Sequence, residues 1–561
     1  MGTDGFAFVA HTRRLPVCRW VVSKFGDVRF VPKADIMRAA KCPHKSDMYS
    51  VCWVNKQDDM LHEPVRNSML LTRRKFTIGC GAFGSSAVVD ARFGFGDPAP
   101  AGTHLPIPVL VDAAKRENAV NLKVISGRHA FIEGKSTGTY GYSAPVLGPV
   151  IRVRRGDEVQ VTVENALDTV TTVHWHGLLV PGYNDGGPQQ LIRPGQSWRP
   201  VLKINQPAAT LWFHPHPHHD TARQIYMGLT GMIIVDDGSD ARLNLPRTYG
   251  VDDLPIILQD RSLDSDGSIG YDDNDLNALD IAYGARGETI IVNGAIAPVA
   301  KVPAGLVRLR LLNAANAQNF DLRFKDRRIF HVIASDGGFL SAPVAVAQLM
   351  ISPAERFEIL VDFTDGKSVA FETGPDKEMG EFGRVAPDGS ADYLAVMQFE
   401  PTPKTPLVKR VPNRLIEPAT AAATSAVRRR QFVLDSGLCA NRPQASAHAN
   451  MPALIGINGK PFDIGRIDVE TRLGTTEVWE IISIGMAHPF HVHGALFRIL
   501  SIEGAPPPAH LTGWKDTVLV EDKAELLVAF NQPATREHPF MYHCHILEHE
   551  EAGLMGQYIC S

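Results

Sequence analysis

The chain has 561 residues, too many for one ordinary core and enough for about two to four domains. Its apolar fraction of 44% and charged fraction of 21% are those of soluble globular protein. A formal net charge of −4 gives no ground for a nucleic-acid or anionic-membrane partner, and no apolar run reaches the length of an integral membrane segment.

Residues 1–68 hold three of the seven cysteines (Cys18, Cys42, Cys52) and show no sustained hydrophobic period. They read as a non-native or disordered N-terminal extension, with Met69 as the true start. Residues 69–91 then carry Arg73-Arg74 ahead of a modest apolar run from Thr77 to Val89. That pattern reads as a signal for twin-arginine export, a route for folded proteins, with cleavage expected near Ala91. The plainer alternative is a chance arginine pair before a short helix. Of the remaining cysteines, Cys439 and Cys560 could pair in an oxidising compartment.

Beyond this the chain repeats itself. A turn followed by alternating apolar residues occurs at Gly156–Val163, returns at Gly305–Leu311, and recurs more loosely at Gly474–Ile481. A second turn follows each copy, at Pro194-Gly195-Gln196, Pro353-Ala354-Glu355 and Lys523-Ala524-Glu525. Period-2 alternation between Gly, Pro and Asn turns predicts antiparallel β-sandwiches. Three domains follow, at 104–240, 250–400 and 431–561, with a Pro/Ala/Arg-rich linker over 401–430 that crosses the surface. The first and third copies also match near their ends: Asn205-Gln206-Pro207-Ala208 is echoed by Asn531-Gln532-Pro533-Ala534, and His214-Pro215-His216 stands where His543-Cys544-His545 stands later.

The densest chemistry is His543-Cys544-His545-Ile546-Leu547-Glu548-His549. On an extended backbone Cys544 faces one way while His543 and His545 face the other, so two metal centres could share one strand. A buried free cysteine among surface histidines is the alternative for this stretch alone. The rest of the chain supplies more pairs: His174/His176, His214/His216, His491/His493 and, overlapping the second, His216/His218. With 21 histidines in the chain, chance gives roughly one such pair. Setting the overlapping His216/His218 aside and counting His543/His545, two pairs come from the first domain and two from the third, which predicts eight imidazoles clustered between those domains. Cys544, His488 and His549 form a separate Cys-plus-two-His set, the combination of a blue-copper centre, for which zinc is the competing metal.

Four segments resemble the copper motifs of multicopper oxidases: His174-Trp175-His176-Gly177, Trp212-Phe213-His214-Pro215-His216, His488-Pro489-Phe490-His491-Val492-His493-Gly494 and His543 to His549. The likeness runs from about residue 104 onward. It is nearest the bacterial three-domain branch of laccases and periplasmic cuprous oxidases, which Asp185-Gly186-Gly187-Pro188 and Ala334-Ser335-Asp336-Gly337-Gly338 also resemble. The resemblance implies an all-β fold of three consecutive cupredoxin-like Greek-key β-sandwich domains and four copper ions. It makes His488, Cys544 and His549 the type 1 ligands and His174 and His491 the type 2 ligands. His176, His214, His216, His493, His543 and His545 would hold the type 3 pair. Asp185 and Glu550 match family positions that supply protons for O₂ reduction, which needs acid/base relays at a buried cluster; either could instead be a solvated surface acid. The reaction implied is one-electron oxidation of substrate at type 1 copper coupled to four-electron reduction of O₂ to water.

Two departures stand out. The position ten residues after Cys544, usually an axial methionine in this branch, is Leu554, with Met555 next. Leu554 is expected to be axial and non-ligating, raising the potential, unless a shift of one residue brings in Met555. Between Pro401 and Glu480 the only methionine is Met451, so the methionine-rich segment of cuprous oxidases is missing. These features favour a laccase-like oxidase of small aromatic substrates, phenols and aromatic amines, with the edge of His488 as the electron entry point. A Cu(I) oxidase of periplasmic copper tolerance and a copper-free structural protein of the envelope are the alternatives. The three-domain layout favours a monomer, and the Arg73-Arg74 segment a periplasmic or otherwise exported one.

Overall fold

Each repeated segment forms the same antiparallel pair of strands. Glu158–Asn165 buries Val159, Val161 and Val163 on one face while Gln160 points out, as alternation requires. It pairs with Ser197–Trp198 and Val201–Lys203. Leu306–Asn313 pairs likewise with Arg356–Asp362, and Thr475–Ile484 with Lys523–Phe530. The second turn of each repeat therefore delivers the partner of the first strand.

The computed structural model describes residues 19–22, 28–31, 103–271, 278–376, 393–403, 408, 410–417, 426–437 and 455–561. The export signal, its cleavage region, Cys439 and Met451 lie outside these. Residues 1–87 and 88–561 form two separate units. In the first, Arg19–Val22 pairs antiparallel with Val28–Val31.

The second unit carries three cupredoxin-like sandwiches. The first stacks a sheet of four strands, with Ala209–Phe213 and Gly231–Asp236 paired at one side, on a sheet built round Ala119–His129 and Glu158–Asn165. The second stacks sheets of seven and five strands, and the third two sheets of five. The sheets are mixed, not antiparallel throughout as the alternation suggested. Ala119–His129 runs parallel to Glu158–Asn165, Asp253–Arg261 to Leu306–Asn313, and Arg428–Asp435 to Thr475–Ile484. Between each such pair the chain crosses to other strands and re-enters from the same end, which period-2 patterning cannot register.

The predicted linker also needs correction. The strand Leu394–Thr402 and the strand Arg428–Asp435 both reach into 401–430, and Val408 and Leu415 are buried in the core of the second sandwich. The segment is held by apolar anchors as well as crossing between domains.

Each sandwich has its own apolar core. Two further clusters join them. Trp212, Met232 and Ile234 of the first pack against Ile257, Leu312 and Ala354 of the second. Ala222, Ile225 and Tyr226 of the first, Tyr271 and Ala285 of the second and Leu547 of the third form one group. The helix Leu547–Glu551, which follows the His-Cys-His strand, is thereby fixed where all three sandwiches meet.

Candidate metal centre

The strand Phe540–Cys544 lies beside His488–Val492, with His491 opposite His543 and Phe490 opposite Cys544. Alternation then sends the histidines to one side and Cys544 with Phe490 to the other. On the histidine side the strand meets the first sandwich, where His174 and His214 sit opposite each other in an isolated antiparallel bridge.

The eight expected imidazoles converge, and all are buried. Their nitrogens fall into three sets in which every atom lies within 4.8 Å of the others: His174, His176 and His491; His176, His214 and His545; and His216, His493 and His543. His543 and His545, two residues apart, thus serve different sets. His218 belongs to none of them and meets His219 edge-on and Phe462 at a tilt.

Outer hydrogen bonds fix which nitrogen faces inward. Nδ1 of His174 donates to the Asp185 carbonyl at 2.9 Å, and Nδ1 of His214 to the Pro215 carbonyl at 2.9 Å. Nδ1 of His491 donates to the Asp516 carbonyl at 2.9 Å, and Nδ1 of His493 to Asp185 Oδ2 at 2.8 Å. Nδ1 of His543 donates to the Cys544 carbonyl at 3.0 Å. These five rings turn Nε2 to the centre. His176 is reversed: its Nε2 donates outward to Asp516 Oδ1 at 3.1 Å, leaving Nδ1 only 3.3 Å from His214 Nε2.

On the other face, Cys544, His488 and His549 form a fourth set within the same 4.8 Å limit. Nδ1 of His549 lies 3.8 Å from Cys544 Sγ, while its Nε2 donates to the Ala282 carbonyl at 3.0 Å. The second sandwich thus orients a ring of this set without supplying a member. The backbone N–H of Ile546 donates to Cys544 Sγ at 3.3 Å. His488 is fully buried, so its edge is covered rather than open to solvent. Leu554 shares the buried apolar cluster of Cys544 and Phe490, whereas Met555 is not part of it and pairs opposite His543 in the neighbouring strand.

The residues suit metal ions. Among the described residues, Nε2 of His174 and His491 and both ring nitrogens of His488 and His545 are buried without a hydrogen-bond partner. Burial pushes His176, His214, His216, His488, His493 and His545 well below the usual imidazole range, and brings His491 and His549 down to about 4. The rings are therefore neutral, with lone pairs converging on small spaces, which a cation would satisfy. Burial pushes the Cys544 thiol up, so a bound cation would have to displace its proton.

Both expected carboxylates are in place and buried. Asp185 Oδ2 lies 3.4 Å from His174 Nδ1 as well as 2.8 Å from His493 Nδ1, and its Oδ1 has no partner among the described residues. Glu550 bridges two rings of one set, 3.3 Å from His216 Nδ1 and 3.1 Å from His543 Nδ1. Burial opposes its charge, but His216 and His543 bring its carboxyl down to about 2. Neither is a solvated surface acid. Sequence reading missed Asp516. Burial would raise its carboxyl, but Arg356 and His176 hold it well below the usual range. Its link to His176 spans 340 positions, a relation that no local spacing carries.

Three family models described as multicopper oxidase match residues 124–240, 271–371 and 438–561. The chain belongs to the multicopper oxidase family. Among relatives, the cell division protein FtsP of Xenorhabdus nematophila is 38% identical over 460 residues, covering 82% of this chain and 92% of that protein. Multicopper oxidase mco of Staphylococcus aureus is 34% identical over 466 residues, covering 81% and 91%. The solved structure of the laccase-like multicopper oxidase CueO from Ochrobactrum sp. is 44% identical with a TM-score of 0.74, covering 82% of this chain and all of that one. Membership in the multicopper oxidases makes copper the metal that these sets of residues suit.

Proposed function

We propose that this multicopper oxidase is laccase-like, oxidising phenols and aromatic amines one electron at a time and reducing O₂ to water. The observation that carries the reading is the division of the His543-Cys544-His545 strand, whose sulfur joins His488 and His549 on one face while its two imidazoles join different sets on the other. In this reading His488, Cys544 and His549 hold type 1 copper. His174 and His491 hold type 2; His176, His214 and His545 hold one type 3 ion, and His216, His493 and His543 the other. When bound, the four coppers supply one-electron oxidation at the first site and four-electron reduction of O₂ at the other three.

The protein's own groups manage geometry and protons. Cys544 and its flanking histidines form a covalent path between the two faces of one strand. Asp185, with Oδ2 against His174 and His493 and Oδ1 buried without a partner among the described residues, exchanges protons on the type 2 side. Glu550, held between His216 and His543, does so on the opposite side. Leu554 gives the type 1 site an apolar axial wall. The oxidase activity of the 44% identical CueO from Ochrobactrum sp. toward lignin model compounds and lignosulfonate supports the aromatic substrate class. We place the protein in the periplasm as a monomer, exported through the twin-arginine route on the strength of Arg73-Arg74.

A second reading, a structural envelope role, is favoured by the relative named a cell division protein. Copper content and turnover of the purified protein separate the two. A blue protein with close to four coppers that oxidises a phenol faster than Cu(I) supports the first. Faster turnover of Cu(I) makes it a metal-ion oxidase, and a colourless, copper-free protein after copper loading sinks both oxidase readings.

A further inference from the structure

We propose that the middle sandwich, which contributes no ligand, sets the geometry of the trinuclear cluster through one buried chain, Asp336–Arg356–Asp516–His176, in which Asp516 is a positioning residue. The inference rests on the copper assignment above.

Asp516 and Thr517 touch two cluster histidines from different sandwiches. Asp516 Oδ1 accepts from His176 Nε2 at 3.1 Å, and the Asp516 carbonyl accepts from His491 Nδ1 at 2.9 Å. Thr517 Oγ1 donates to Asp516 Oδ1 at 2.9 Å and lies 3.2 Å from His491 Nδ1. The two rings so held stack with centroids 3.7 Å apart. An ionised carboxylate can only accept, so it requires the proton on Nε2 of His176 and leaves Nδ1 as the inward lone pair. No other cluster ring with a partnered outer nitrogen is oriented that way round.

Arg356 holds that carboxylate in place. Its Nη1 donates to Asp516 Oδ1 at 2.7 Å and its Nη2 to Oδ2 at 2.5 Å, a two-pronged contact that fixes rotation as well as distance. The guanidinium is itself immobilised: Nε donates to the Thr210 carbonyl of the first sandwich at 3.1 Å, and Nη1 to the Ala354 carbonyl at 2.9 Å. Asp336 closes the bracket by accepting from the Arg356 backbone N–H at 2.8 Å and forming an ion pair with Lys515 Nζ at 2.8 Å. This gives a physical role to Ser335-Asp336-Gly337 of the middle domain, which carries no ligand. Gly177, next to His176, is part of the same arrangement. It has φ of 85°, and a Cβ there would stand 2.6 Å from Arg356 Nη2 and 2.7 Å from Asp516 Oδ2. The last residue of His174-Trp175-His176-Gly177 thus leaves space for the ion pair that orients the third.

The test uses the full chain, copper-loaded, in four forms: wild type, Asp516→Asn, Arg356→Lys, and Arg261→Gln. Arg261 is an equally buried arginine of the middle sandwich that touches Tyr226 and the Ile225 carbonyl but not Asp516. The readouts are copper per chain, the ratio of the near-ultraviolet type 3 band to the blue type 1 band, and kcat with KM for O₂ and for a phenol. In Asp516→Asn one carboxylate oxygen becomes an amide that faces either the guanidinium or His176 as a donor; Arg356→Lys keeps the charge and loses the fork. Both should keep the blue band and the KM for the phenol while the band ratio falls and O₂ turnover drops ~10- to 100-fold, the usual effect of removing a partner behind a metal ligand. Arg261→Gln should keep the wild-type ratio. The proposal is overturned if Asp516→Asn and Arg356→Lys retain the wild-type ratio, if Arg261→Gln lowers it equally, or if blue and near-ultraviolet bands vanish together, which would make the ion pair a support of the fold alone. A wild type without blue colour or cluster copper would instead overturn the copper assignment, and this inference with it.

Discussion

The axial position of the sulfur-containing site offers the most direct check on the chemistry. Leu554 is fully buried beside Cys544, and its backbone is pinned at both ends. Its N–H donates to the His549 carbonyl at 2.9 Å, and its carbonyl accepts from the Cys544 N–H at 3.1 Å. The side chain at 554 is therefore committed to the site, while alternation turns Met555, paired opposite His543, to the other face of the sheet. Leu554→Met conserves volume, so the fold should lose less than about 1.5 kcal/mol. A thioether at this position is a weak ligand that favours Cu(II). If it favours Cu(II) over Cu(I) tenfold, or ~1.4 kcal/mol, the one-electron potential falls by about 59 mV. Redox titration of the blue band reads this directly, with Met555→Leu as companion. An unchanged potential in Leu554→Met, together with a raised one in Met555→Leu, would refute the geometry and make Met555 axial.

Glu550→Gln should lower steady-state turnover by about 10²-fold, in the range of general acid/base groups, while anaerobic reduction of the blue site keeps its rate; equal slowing of both steps would remove Glu550 from proton delivery. The metal-free chain should be acid-labile. His491 and His549 titrate at about 4 when folded against about 6.5 unfolded, so between those values the unfolded chain binds more protons. The stability involved is fully present above about pH 6.5 and is lost as pH falls toward 4, by roughly 3 kcal/mol for each ring. Thermal melts of the metal-free protein across that window should show the decline, and a flat Tm would count against neutral buried imidazoles.

Much of the site was legible because its ligands come in short motifs. A His-x-His pair on a strand puts both rings on one face whatever the tertiary context, and the cysteine between His543 and His545 has to face the other. The repeat was legible for the same reason, since each copy encodes a turn, a strand and the antiparallel partner of that strand. What failed to show involves contacts between distant segments. Parallel neighbours such as Ala119–His129 and Glu158–Asn165 leave the same alternation as antiparallel ones. Val408 and Leu415 lie in short apolar pairs, Leu407-Val408 and Leu415-Ile416, within a Pro- and Arg-rich stretch that shows no strand or helix period, and only the fold shows that they plug a core. The cover over His488 and the grip of Arg356 on Asp516 join parts of the chain whose proximity is decided by domain packing.

That packing also has a consequence for assembly. Each set of cluster imidazoles draws on both the first and the third sandwich, and the helix beyond Cys544 seats only where all three meet. No part of the chain alone can offer a finished cluster to a metal ion. A partly made or partly folded molecule therefore cannot hold redox-active copper in the cluster's coordination, where it would meet O₂ without the groups that complete the reaction. On the proposed copper assignment, docking of the last sandwich acts as an interlock: the same event that buries the imidazoles creates the places for the metal, so oxygen chemistry would begin only in a molecule that is already whole.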